Sequence, residues 1–143
     1  MKNVITTAAI LFAFGLGAIA VGAQEGNATS VQDVSQAFSQ LSTDTGGTVV
    51  QPIMHAPAGD VLAVYIVRAP RQLFSKQDEL FYVISGRGTA NVGYPSYDVK
   101  PGSIISIPRN TAFEITASGR APIKALLIAT PNNNPNDKKV LQP

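Results

Sequence analysis

From Glu79 to Phe113 the chain reads ELFYVISGRGTANVGYPSYDVKPGSIISIPRNTAF. Short runs rich in β-branched and aromatic residues alternate with turn formers. The turns fall at Gly86-Arg87-Gly88, at Gly93 to Ser96, at Pro101-Gly102 and at Pro108-Arg109-Asn110. Punctuation this dense leaves no room for a helix of ordinary length and dictates strand, turn, strand. The pattern continues on both sides. Thr48 to Ile53, Val61 to Val67, Gln72 to Phe74 and Ile123 to Ala129 complete about nine candidate strands. Val61 to Val67 is apolar throughout, as a strand covered on both faces requires. Ala69-Pro70 is expected to break the chain between strands. Many short strands with regular turns point to an all-β antiparallel barrel or jelly roll.

One helix is expected outside this region. Val31, Val34, Phe38 and Leu41 recur at three- and four-residue steps and predict a short amphipathic helix over Ser30 to Leu41. Thr29 or Ser30 would cap it, with Asp33 in its first turn. At this length it must dock on the barrel to persist. Ahead of it, Met1-Lys2-Asn3 is followed by an uncharged run from Val4 to Val21 and small residues up to Ala23. That is the pattern of a secretory signal peptide cleaved after Ala23, with an uncleaved anchor as the alternative. The segments are then 1–23 signal peptide, 24–47 N-terminal segment with the short helix, 48–130 barrel and 131–143 a loosely attached polar tail. The expected address is periplasmic or extracellular.

Composition narrows the chemistry. There is no Cys, which removes disulfides, thiol catalysis and thiolate metal sites. A net charge of +2, with no Lys/Arg cluster beyond Lys138-Lys139, argues against nucleic acid as a partner, and against a membrane surface once the signal is removed. No phosphate loop, nucleophile elbow or His-Glu-x-x-His run is present.

The paired turns resemble the signature motifs of the cupin family. The first motif runs from Gly through His-x-His to Glu, with Gly six residues further on. Here Glu79, six residues and Gly86 match that last part. A four-residue gap before the Glu places Gln72 and Phe74 at the two His positions, and a three-residue gap places Leu73 and Ser75 there. In the second motif Gly102, five residues and Pro108 match, Asn110 stands for Gly, Phe113 for His and Ala117 for Asn. The resemblance covers about Val61 to Thr130. It implies a cupin-like barrel with Glu79 pointing inward, along with Phe81 and Val83. It also implies frequent pairing into homodimers.

The family's metal cage is three His and one Glu, and this chain has a single His, His55. No metal and no cofactor are therefore expected, although a rebuilt site from His55, Glu79 and either Asp78 or Glu114 is the alternative. A carboxylate inside an apolar barrel must be paired, protonated or met by a ligand. Glu79, Gln72, Phe74, Phe81, Phe113 and Tyr65 are the expected ligand-binding residues of the barrel pocket, and none is assigned a catalytic role. The expected function is a metal-free binding module for a small molecule or a protein, leaning away from catalysis. The alternative is a cupin oxygenase or isomerase with atypical ligands.

Overall fold

The computed structural model describes residues 31–41 and 46–142. The secretory segment expected over 1–23, and the capping residues Thr29 and Ser30, lie outside them. The described chain forms α1 (Val34–Ser39), β1 (Thr48–Ala56), β2 (Gly59–Ile66), β3 (Arg68–Leu73), β4 (Asp78–Ser85), β5 (Gly88–Val92), β6 (Ser96–Val99), β7 (Ile104–Ile107), β8 (Phe113–Ala117), β9 (Ile123–Thr130) and β10 (Lys139–Val140).

The strands make two antiparallel five-stranded sheets, in the orders β1-β2-β9-β4-β7 and β10-β3-β8-β5-β6. Alternation along each strand sends one set of side chains between the sheets. Leu62, Val64 and Ile66 of β2, Phe81 and Val83 of β4, Ile105 and Ile107 of β7, and Ala125 and Leu127 of β9 meet Phe113, Ile115, Ala90 and Val99 of the other sheet. Tyr82 points outward, opposite Ile104 on β7.

β2 is buried on both faces, as its unbroken apolar run demands. Its inward residues belong to the barrel core, while Ala63 and Tyr65 pack with Phe38 and Ile53 in a second cluster under α1. The Phe38 and Tyr65 rings meet edge to face at 5.6 Å, and the Lys124 ammonium lies 5.2 Å from the Tyr65 ring. The helix is shorter than the apolar spacing predicts. Asp33, expected inside the first turn, is the cap itself and accepts from the Ser35 amide. Val31 then precedes the helix and is 95% exposed, outside the apolar stripe.

Among the described residues three glycines allow close backbone approaches, and two of them, Gly86 and Gly88, lie where the chain crosses between the sheets. At Gly86, where φ is +86°, a Cβ would lie 2.4 Å from the Pro122 carbonyl oxygen. At Gly88 a Cβ would lie 2.2 Å from the Thr116 carbonyl oxygen. Any side chain at either place would force the strands apart. Asn110 takes φ +64° where the family motif has Gly, and its amide donates to the Phe74 carbonyl at 2.6 Å. Asn is among the few side-chain-bearing residues that adopt this conformation readily.

Two expectations are corrected. Ala69-Pro70 does not end a strand: β3 starts at Arg68 and runs through Pro70, because a register shift against β8 between Ala69 and Gln72 leaves the proline outside the ladder. The polar segment 131–142 is anchored rather than loosely attached. β10 pairs with β3, and a 3-10 turn at Pro135–Asp137 buries Asp137. The Asp137 carboxylate accepts the Ser75 and Lys76 amides, each at 2.7 Å, and the Ser75 hydroxyl. These hydrogen bonds, led by the Ser75 hydroxyl, hold its pKa below the ordinary carboxylate value. The contacts join residues about sixty positions apart, so local composition carries no sign of them.

Candidate functional site

Glu79 lies in β4 between β7 and β9, in register with Ile107 on one side and Ala129 on the other. Its inward position on the strand leaves it 4% exposed. Gln77, 1% exposed, donates from Nε2 to Glu79 Oε1 at 2.9 Å. Glu79 Oε2 is buried and has no hydrogen-bond partner among the described residues. Burial favours the uncharged acid and pushes the Glu79 pKa up to about 7, against the opposing pull of the Gln77 hydrogen bond.

Gln77 is itself held by the C-terminal segment. The Asn134 amide donates to Gln77 Oε1 at 2.6 Å, and Gln77 Nε2 lies 3.5 Å from Asn133 Oδ1. The Asn133 amide donates to Asp60 at 2.7 Å. The run from Asn132 to Asn134 thus braces the residue that orients the carboxyl group.

Glu79 lines a cavity of about 280 Å³ that opens between β1 and β3. Gln72, Phe74, Phe81 and Phe113 line the same cavity, with Val64, Ile66, Ile115 and Leu127. The Phe74 and Phe113 rings stack at 6.4 Å, and the Phe81 ring tilts against Phe113 at 6.2 Å. The rings leave space, so the barrel is not filled. Gln72 and Phe74 being on the cavity, and Leu73 and Ser75 off it, selects the four-residue gap of the first motif.

Five of the six expected pocket residues therefore share one cavity. Tyr65 does not. Strand alternation places it on the outer face of β2 with Phe38, away from Val64 and Ile66, so it is part of the helix-docking cluster. The sequence reading omitted Gln77, Asn133 and Lys138. Gln77 sits in a charged turn that reads as solvated, and its partners come from the far end of the chain.

The alternative site built on His55 does not assemble. The His55 side chain is 67% exposed and pairs with Asp60. Asp78 makes a two-pronged pair with Arg109 at 3.1 and 2.7 Å, and these hydrogen bonds hold its pKa down at about 2. Glu114 alternates with Phe113 and Ile115 on β8 and so faces away from the core. A transition-metal centre of the family's type needs three or four converging N, O or S donors. At the four motif positions the donors are one carboxylate and one amide, with two phenyl rings. Among the described residues no three His, Cys, Asp or Glu side chains gather to hold a metal ion. This donor set does not fit a resident divalent transition metal.

The sequence pattern of the cupin domain matches residues 68–129, the stretch that carries Gln72, Glu79 and Phe113. The barrel is a cupin domain. Over 65 residues the chain is 31% identical to the uncharacterized protein MJ1618 of Methanocaldococcus jannaschii, which covers 46% of this chain and 52% of that protein. The chain thus spans about half the length of the curated relative it matches. Among solved structures the cupin resembles Streptomyces Pac13, described as a nucleoside dehydratase, with a TM-score of 0.63 and 17% identity over 80% of this chain and 92% of that one. It also resembles a double-stranded β-helix protein from Klebsiella pneumoniae, with a TM-score of 0.63 and 14% identity over 83% and 100% of the two chains. At these identities the structural likeness bears on the fold alone.

Proposed function

We propose that this cupin is a secreted, metal-free, non-catalytic module that holds a small molecule inside the barrel through a hydrogen bond to Glu79. The signal-like pattern of residues 1–23 supports the address. The observation that carries the binding reading is Glu79 Oε2, a buried oxygen with no partner among the described residues, on the wall of an apolar cavity. An unpaired carboxyl oxygen in such a place costs free energy unless something supplies a partner. Cavities lined by rings with one or two polar groups are the usual form of small-molecule sites.

Benzyl alcohol and toluene test this on the purified protein, by ligand-observed NMR. The expected result is that the alcohol binds at least about tenfold tighter than toluene, as a site with an unpaired polar group discriminates, and that Glu79→Leu removes the difference. Equal binding of the two, or no binding of the alcohol, overturns the reading.

A second reading makes the cupin an enzyme in which Glu79 gives or takes a proton. A carboxyl with pKa about 7 holds both protonation states at neutral pH, which suits a general acid or base. Turnover that rises or falls through pH 7 and vanishes in Glu79→Gln would favour this over simple binding.

A further inference from the structure

The cavity wall divides by charge. Its one acid among the described residues, Glu79, is buried, whereas its two bases, Arg68 and Lys138, are exposed. Among the described residues neither base makes a salt bridge. Arg68 opens β3, and Lys138 precedes Lys139, which pairs with Leu73 at the other end of that strand. Among the described lining residues the rim is therefore basic at both ends of β3, and the only acid is the buried Glu79. The floor offers a hydrogen-bond acceptor without a partner among the described residues, and the walls between rim and floor are mostly phenyl rings and aliphatic groups, with the amides of Gln72 and Asn133.

We infer that the site takes a small amphipathic anion, with its carboxylate or phosphate at the rim and a hydroxyl or amine donor at the floor against Glu79. This rests on the reading of the barrel as a small-molecule site. The cavity volume, about 280 Å³, lies just below the range of roughly 300–1,000 Å³ typical of ligand pockets and suits a body of one ring or a short aliphatic chain. The rim charges act in a solvated setting, so their share of affinity is modest and sensitive to salt. The hydroxyl at the floor is met in a desolvated setting and governs whether binding occurs at all.

The test compares 4-(hydroxymethyl)benzoate with its uncharged methyl ester by isothermal titration of the full chain, at low and high sodium chloride. The acid is expected to bind about three- to tenfold tighter than the ester at low salt. That advantage should shrink in high salt and disappear in the Arg68→Ala/Lys138→Ala double variant, with ester binding unchanged. An ester that binds as tightly as the acid, or an advantage that survives the double variant, overturns the anion assignment and leaves the barrel site standing. If neither compound binds, the small-molecule reading itself falls, and the anion assignment falls with it.

Discussion

Gln77 Nε2 donates to Glu79 Oε1 at 2.9 Å, while Oε2 of the same carboxyl group faces the cavity with no partner among the described residues. One buried amide thus fixes which oxygen is used up and which is left for a guest. The amide's own oxygen is taken by the Asn134 backbone. Replacing Gln77 by Leu strands both the Asn134 amide and Glu79 Oε1. The orphaned Glu79 Oε1, which is buried, costs about 1–3 kcal/mol, and the part-buried Asn134 amide adds less. A urea denaturation midpoint well below wild type is the expected outcome, and an unchanged midpoint would show that neither bond matters.

The proton on Glu79 makes stability depend on pH in a definite direction. With its pKa raised to about 7 from an ordinary 4.5, the folded chain holds this proton more tightly than the unfolded chain. The stabilisation is complete below about pH 4.5 and is lost as pH rises through 7. Wild-type stability should fall between pH 5 and pH 8 by at most about 3 kcal/mol. Glu79→Gln, which can keep the bond from Gln77, should flatten that fall and exceed wild type at pH 8. Asp33, Asp78 and Asp137 are shifted downward instead, so their contributions are lost at lower pH and do not overlap this window. Parallel profiles for wild type and variant would contradict the burial argument.

Restoring imidazoles tests the reading of the donor set. The triple variant Gln72→His, Phe74→His, Phe113→His converges three nitrogens on Glu79 and should retain about one divalent transition metal per chain. Elemental analysis of protein purified without chelators should find far less than one in wild type. Stoichiometric metal in wild type would mean that donors outside the four motif positions complete a site.

Asp137 ties the C-terminal segment to the turn before β4. Asp137→Ala should raise amide hydrogen exchange at Ser75 and Lys76, which lose their acceptor. Exchange at Leu141 should follow, because its amide bonds to the Arg71 carbonyl on the adjoining stretch. Exchange unaltered at all three would show that β10 pairing alone holds the segment.

The fold was legible because strand periodicity and turn residues are local signals, and Glu79 with Gly86 and Gly102 with Pro108 sit at family spacing. Glu79, Gln72, Phe74, Phe81 and Phe113 follow from alternation once the strands are placed. Tyr65 failed because a strand buried on both faces is apolar on both, so nothing in VLAVYIV says which face is the barrel's. Gln77 and Asp137 escape a reading of the sequence for a different reason. Each is a polar residue in a polar segment, and what removes it from water is a stretch of chain more than fifty positions away.

Gly86 and Gly88 let the backbones touch where the chain crosses between the sheets, and neither lines the cavity. The residues that do line it take no part in those seams. Closing the container and choosing its contents are thus separate tasks for this chain. Exchanges at 72, 74 and 113 can refit the interior for a different guest while the joints stay shut.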